Sequence, residues 1–264
     1  FYRRAIAIHE RAFGSRHPVV AVDLHNLAGL LIENGDIEAA LDTALVVEDI
    51  TREHFRLMAR PLSEQEALHY AAVRVKGLDM ALTCAARVPE PSAARRVWDS
   101  VIRSRALVLD EMAVRRRTIS SVRDTGLVRL AAQLAATSEQ LANMTVRGRG
   151  SLPVERYRVL LDDAGRARDL AERALAERSE PFRQQRARGH LGFAEVVSAL
   201  PAGTALVAYM RYNRLEAQAV DDAPAGARAP SDHGRGTPAY IAFVVAGPRS
   251  SPVIIPLAAA ARVD

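Results

Sequence analysis

The spacing of apolar residues changes from helical to extended near residue 200, and this change constrains the fold more than any other feature. From Phe1 to about Leu200 the apolar residues recur every three or four positions, which is typical of amphipathic helices. Three short apolar runs follow and predict β-strands at 206–212, 240–245 and 253–257. A small sheet needs a helix or a second layer over its apolar face. We therefore expect a mostly α chain that ends in the first strands of an incomplete α/β domain.

Composition excludes several classes of protein. The chain is 49% hydrophobic and 25% charged, as in ordinary globular proteins, and no run approaches the roughly 18 apolar residues of a membrane span. Neither a membrane span nor a secretory leader is predicted, and a cytoplasmic location is expected. A disulfide framework and a cysteine-based metal site are excluded because Cys84 is the single cysteine. It lies in a helical pattern, where we expect a buried, unreactive side chain.

The charge pattern argues against nucleic-acid binding. The net charge is +5, and every basic residue except Lys76 and the histidines is arginine. Acidic residues are interleaved with the arginines, as in the run Arg166–Arg173, which is typical of a solvated helix face. Aromatic residues make up only 5% of the chain and do not alternate with arginine as they do on a single-strand binding surface.

Two consecutive apolar stripes predict an antiparallel helix pair. Gly35 and Asp36 separate them and predict a tight turn. Small residues at Ala28 and Ala40 would let the helices approach closely, while larger side chains fill the groove beside them. The first stripe consists of Leu24, Leu27, Ala28 and Leu31, and the second of Ala39, Ala40, Ala44 and Val47.

This pair resembles a tetratricopeptide repeat (TPR) over residues 1–54. Seven consensus positions match: Leu24, Leu27, Ala28, Leu31, Ala40, Ala44 and Val47. Residues 2–13 look like the closing helix of a preceding repeat. The link Gly14-Ser15-Arg16-His17-Pro18 is similar to that of the longer repeats of kinesin light chains. The resemblance implies a groove for a protein partner, with Asp23, Asn26 and Glu33 as candidate contacts on its concave face, and further repeats before Phe1.

Further helices are expected to cap the repeats across a linker region, residues 55–192. Five scattered histidines show no i, i+4 pair with a glutamate, so we interpret them as surface or loop residues and predict no metal site. Trp98 is expected to anchor helix packing. The helices are expected at about 63–87, 92–117, 124–146 and 153–179, and the histidines are His9, His17, His25, His54 and His69.

A second resemblance covers the remaining chain. Segments within 63–110 look like the helical linker of TPR–CHAT proteins, in which a caspase-like CHAT domain follows TPR repeats in many bacteria. Residues 193–209 are similar to the start of that domain, 239–245 to its second strand and 253–264 to its third. The resemblance therefore implies a caspase-like α/β fold over 193–264.

Such peptidases carry a His-Gly dipeptide at the end of one strand and a cysteine at the end of the next. Both positions would lie beyond Asp264, so we assign no catalytic residue and no cofactor to this chain. His233-Gly234 is interpreted as part of a polar surface insertion between the first two strands, and His190 as a linker residue.

Three functions remain open. The chain is expected to be the partner-binding, regulatory arm of a CHAT-domain cysteine peptidase. The alternative is a non-enzymatic TPR scaffold with a degenerate CHAT domain. The third is an unrelated helical regulator with a small appended sheet.

Overall fold

A computed structural model describes residues 1–59, 62–88, 90–105, 107, 124–215, 236–247 and 250–262. Within these ranges the chain is mostly helical and ends in a three-stranded antiparallel sheet. The helices are α1 (Tyr2–Phe13), α2 (Pro18–Glu33), α3 (Ile37–Ala59), α4 (Glu64–Val73), α5 (Leu78–Ala85), α6 (Pro91–Ser104), α7 (Thr125–Arg147), α8 (Val154–Arg178), α9 (Glu180–Arg188) and α10 (Phe193–Ser198). The strands are β1 (Leu206–Arg214), β2 (Thr237–Val245) and β3 (Val253–Ala259).

The link between α1 and α2 shows why its residue types are needed. Gly14 ends α1 with a φ of 90°, a conformation that glycine adopts without steric cost. His17 then caps α2, because its Nδ1 accepts the N–H of Val19 at 3.3 Å. Pro18 fills the first turn, where a missing N–H costs nothing.

Helices α2 and α3 form the predicted hairpin. Gly35, with a φ of 83°, turns the chain between them. Ala28, Ala40 and Ala44 are fully buried in the contact, so their small side chains bring the two backbones together. Helix α1 also packs against α2, so α1, α2 and α3 lie side by side.

The single helix expected at 63–87 is wrong, because two helices occupy this segment. Helix α4 begins with a capping box in which Ser63 and Glu66 exchange hydrogen bonds. The chain then breaks at residues 74–77, and α5 begins. The cause is a long-range contact: a Cβ on Gly77 would lie 2.0 Å from the carbonyl oxygen of Ala44, so the chain passes α3 at a distance that only glycine permits.

Helices α7 and α8 confirm the expected pair at 124–146 and 153–179. Asp124 caps α7 by accepting the N–H groups of Gly126 and Leu127. Pro181 lies in the first turn of α9, directly after the break at Ser179 between α8 and α9. Helix α6 begins within one residue of its expected start, and the part of 92–117 after residue 107 lies outside the described residues.

The α7–α8 hairpin packs back on the first three helices. Helix α8 contacts α1, and α7 contacts α3. Tyr157 connects these elements, because its ring packs edge-on against Phe13 while its hydroxyl donates to the carbonyl of Met144 at 2.9 Å. The hairpin therefore closes one side of the helical arm.

The sheet has the order β1-β2-β3, and its three predicted strands are confirmed with longer ends. Alternate residues of β1 are exposed, so one face of the sheet is turned toward the helices and the other away from them. The inner face packs on α5, α6 and α10, and one hydrophobic cluster runs without interruption from Ala28 of α2 to Val245 of β2. Among the described residues, none of the helices has the length and apolar character that crossing a membrane requires.

Candidate binding surfaces and buried polar sites

The three residues predicted to contact a partner share one face of α2, but they differ in what surrounds them. The carboxylate of Asp23 lies 2.5 Å from Nδ1 of His9 on α1, and only 15% of its side chain is exposed. Asp23 therefore joins the two helices. Asn26 is half-buried and Glu33 is exposed at the end of α2. These two remain the better candidates for a partner contact.

A polar cavity of about 710 Å³, which we call the arginine cavity, lies among the described residues. It lies between the second half of α3 and helices α8 and α9, with the α1–α2 turn and the end of α6 completing its walls. Seven arginines and four carboxylates line it: Arg16, Arg52, Arg56, Arg103, Arg168, Arg173 and Arg186, with Asp49, Glu53, Asp169 and Glu172.

Ion pairs tie the walls of the arginine cavity together. Within α3, Arg52 forms an ion pair with Asp49 at 2.5 Å. Arg16, which lies in the α1–α2 turn, forms an ion pair with Glu53 of α3 at 2.6 Å. Glu172 of α8 accepts Arg168 and Arg186, at 2.7 and 3.2 Å. Two of the lining arginines each have one buried nitrogen without a hydrogen-bond partner, namely Nη1 of Arg52 and Nε of Arg168.

The amino-acid sequence did not predict this cavity. The interpretation of the run Arg166–Arg173 as a solvated face is correct for Arg166, whose side chain is 67% exposed, and wrong for Arg168 and Glu172, which are largely buried. No single stretch of sequence indicates the cavity, because the lining side chains come from five separate elements. A repeated Arg/Glu pattern looks the same on a solvated helix and on a polar cavity wall.

Two histidines lie beside a second cavity of about 400 Å³, which shares Arg16, Glu53 and Arg168 with the first. Burial lowers the pKa of His17, and the nearby His9 lowers it further. Burial lowers the pKa of His54 to about 4, with a smaller contribution from His17. The expectation of surface or loop histidines is therefore wrong for His54, which lies half-buried within α3. His17 lies in the α1–α2 link as expected, but it is buried there.

Their burial has a local cause. His17 caps α2 and stacks on Phe13 with 5.0 Å between ring centroids, while Nδ1 of His54 shares a 2.8 Å hydrogen bond with the hydroxyl of Tyr70. The Nε2 atoms of both histidines are buried without a hydrogen-bond partner. Both rings are thus held neutral at neutral pH and carry no metal-ligand geometry.

A buried carboxylate joins α3, α5 and α6. Glu48 is fully buried, and Oε1 accepts Arg74 Nη2 and the Ser104 hydroxyl, each at 2.8 Å. Its Oε2 accepts the backbone N–H groups of Gly77 and Leu78, at 3.1 and 3.3 Å. Glu48 therefore caps α5 from another helix. Because these hydrogen bonds connect α3 to α6 and to the start of α5, we assign Glu48 a structural role.

The residues considered for catalysis do not form a reactive site. Cys84 is buried as expected, and burial raises the pKa of its thiol to about 12, which disfavours the nucleophilic thiolate. His190 is exposed at the edge of the arginine cavity, and His233-Gly234 lies outside the described residues. Within the described part of the chain, no group of three His, Cys, Asp or Glu residues is arranged to hold a metal ion.

Comparison with known protein families, with curated proteins and with solved structures finds no match. Function therefore has to be inferred from the helical arm, its junction with the sheet and the cavities themselves.

Proposed function

We propose that this chain is the partner-binding, regulatory arm of a TPR–CHAT protein. The stacking of the helices supports a repeat-type arm. Helix α1 packs on α2, α2 on α3, α3 on α5 and α5 on α6, so this stack follows the order of the chain, while the α7–α8 hairpin returns to α1 and α3. Helix α4 lies beside this stack. Each hairpin buries its apolar stripe against the next, as stacked TPR units do.

The junction between α6 and the sheet is the observation that carries the proposal. Trp98 of α6 is 2% exposed, and its ring lies 5.2 Å from the rings of both Phe193 and Phe243. The arm and the sheet therefore share a hydrophobic core. A partner that shifts the arm must also shift the strands, which is what a regulatory arm requires.

A polar contact reinforces this junction at the end of β1. The side chain of Asn213 donates to Asp79 at 3.2 Å, and the N–H of Leu215 donates to the hydroxyl of Thr83 at 3.1 Å. Arg87 donates to the carbonyl of Leu215 at 3.2 Å. Asp79 and Thr83 lie one turn apart on α5, and Arg87 follows its end. The end of β1 is therefore attached to one face of that helix.

The outer face of the sheet supports the α/β assignment. Two rows of apolar side chains cross it, and four of their six members are exposed. A sheet with apolar residues on both faces is typical of α/β domains, in which helices cover each face. The rows are Val207, Val244 and Val253, and Tyr209, Ala242 and Ile255.

In this proposal the CHAT domain of the complete protein resembles a caspase-like cysteine peptidase, whose nucleophile is not Cys84. The alternative is a scaffold whose CHAT domain has lost its catalytic pair. The reading frame after Asp264 separates them. A hydrophobic strand ending in His-Gly, followed by one ending in Ala-Cys, supports the peptidase. In that case replacing this cysteine with alanine abolishes cleavage and leaves partner binding intact, whereas cleavage that survives contradicts the mechanism.

The partner is proposed to be a cytoplasmic protein that contacts the α2 face. A single unpaired cysteine is consistent with the reducing cytoplasm. The interleaving of acidic residues with the arginines favours a protein over a nucleic acid, because a strand of phosphates would meet carboxylates as well as cations.

The α2 face can be tested by charge changes with a matched control. A partner identified by chemical cross-linking is measured against the double variant Asn26→Lys/Glu33→Lys. We expect at least a tenfold loss of affinity. The control, Glu139→Lys/Gln140→Lys on the exposed side of α7, also replaces one carboxylate and one amide with lysine and should bind as the wild type does. Equal affinities for all three proteins would contradict this site.

A further inference from the structure

The arginine cavity carries an excess of positive charge. Its seven arginines outnumber its four carboxylates, which leaves an excess of three positive charges. Its volume of about 710 Å³ lies within the range of roughly 300–1,000 Å³ that is usual for small-molecule sites. Five elements contribute to its walls, so a compact ligand contacts all of them more readily than an extended peptide does.

Two buried guanidinium groups lack acceptors. The side chain of Arg52 is 10% exposed and that of Arg168 is 21% exposed, yet Nη1 of the first and Nε of the second have no hydrogen-bond partner. Buried polar atoms in proteins are nearly always hydrogen-bonded. Their carboxylate partners, Asp49 and Glu172, use the other nitrogens. These two nitrogens are themselves shielded from solvent, so an oxyanion in the cavity would act on the two guanidinium groups through its charge and through their other N–H groups.

We propose that the arginine cavity binds a small molecule that carries two or more phosphate groups. A guanidinium group presents a planar fork of N–H donors, which matches the oxygens of a phosphate in a bidentate manner. Two or more phosphates match the excess of positive charge. The carboxylates that line the same walls can accept hydrogen bonds from the hydroxyl groups that such metabolites carry.

Two arginines are placed to admit the ligand. The side chains of Arg16 and Arg186 are 59% and 46% exposed, and both are paired with lining carboxylates, Glu53 and Glu172. Exposed ion pairs contribute little to stability. Both arginines can therefore exchange a carboxylate for a phosphate with little loss of folding free energy.

The bound ligand would link α3 to α8 and α9. A ligand that binds only the folded state stabilises it in proportion to the logarithm of its concentration above Kd. The site is separate from the α2 face, so it stands whether or not the partner-binding proposal holds.

The test uses the full chain with sodium tripolyphosphate and pyrophosphate as probes, by titration calorimetry and thermal unfolding at 0.1 M salt. We expect one site, a rise in unfolding temperature and tighter binding of tripolyphosphate. The double variant Arg16→Gln/Arg186→Gln should bind at least tenfold more weakly. The control Arg96→Gln/Arg166→Gln should stay within twofold of wild type, because those arginines are also exposed and also paired with one aspartate each.

Three outcomes overturn the proposal. If both double variants bind tripolyphosphate equally more weakly than the wild type, the anion is attracted by the net charge of the protein and not by this cavity. Unchanged affinity in Arg16→Gln/Arg186→Gln would place the anion elsewhere. A glutamate hexapeptide that binds as tightly as tripolyphosphate would show that the cavity accepts acidic protein segments rather than phosphates. Far-UV circular dichroism of each variant verifies that it is folded.

Discussion

The indole ring of Trp98 lies 5.2 Å from the ring of Phe243, centroid to centroid, so α6 packs directly on the central strand of the sheet. Phe193 of α10 lies at the same distance on another side. The one tryptophan of the chain thus sits where the helical arm meets the sheet. Removing its ring would open a cavity shared by three elements.

Trp98→Ala should lower the free energy of unfolding by about 3–5 kcal/mol, as for other buried aromatic residues. Urea unfolding followed by far-UV circular dichroism measures this. The matched control is Leu170→Ala, since Leu170 is exposed on α8, and its effect should stay within about 0.5 kcal/mol. A loss below about 1 kcal/mol for Trp98→Ala would show that arm and sheet do not depend on this contact.

Glu48→Gln should destabilise the fold by about 3–5 kcal/mol, because it leaves the charge of Arg74 buried without a counterion. The same change weakens the cap that Glu48 provides to Gly77 and Leu78. Chemical denaturation at pH 7 measures the loss.

The control for this change is Glu53→Gln. Glu53 lies on the same helix and pairs with Arg16, but both side chains are more than half exposed. Its removal should cost at most about 1 kcal/mol. Similar losses for the two variants would contradict the structural role assigned to the buried carboxylate.

Gly77→Ala and Gly165→Ala should have opposite effects. A Cβ on Gly77 would collide with the backbone of Ala44 and Glu48, so α5 would have to move away from α3. On Gly165, inside α8, a Cβ meets nothing within 4 Å, and alanine should add roughly 0.5–1 kcal/mol of stability. Thermal unfolding of both variants measures this. A Gly77→Ala protein as stable as the wild type would exclude the close approach of α5 to α3.

The strongly periodic elements could be predicted from the sequence, and the long-range contacts could not. The α7–α8 pair matches expectation within two residues, because its apolar stripes are long and its ends carry Asp124 and glycine signals. The break before α5 was missed because Ala44 and Glu48, the residues of α3 that Gly77 contacts, lie far away in the chain.

The same limit applies to the candidate sites. Burial of Cys84 and the packing role of Trp98 follow from apolar neighbours in sequence, and both are confirmed. Whether an arginine such as Arg168 faces water or a cavity depends on which helix packs opposite to it. Local spacing holds no information on that point.

The histidines beside the second cavity should make the fold sensitive to acid. The unfolded chain binds a proton at His54 with a pKa near 6.5, whereas burial lowers the folded value to about 4. Between these values the unfolded state holds more protons, so stability is complete above about pH 6.5 and falls as the pH decreases toward 4. His17 acts in the same direction, because burial also lowers its pKa.

His54→Gln removes this dependence. Lowering the pH from 7 to 4.5 should cost the wild type about 2 kcal/mol more than it costs His54→Gln, the amount that follows from the two pKa values. Urea unfolding at several pH values measures the free energy of unfolding of both proteins. Carboxylates titrate alike in the two proteins, so their contribution cancels in the difference. His69→Gln is the control, because His69 is exposed on α4, and it should follow the wild-type curve. Parallel curves for wild type and His54→Gln would mean that His54 is protonated in the folded protein, and that the packing of its ring against Tyr70 does not exclude the charge.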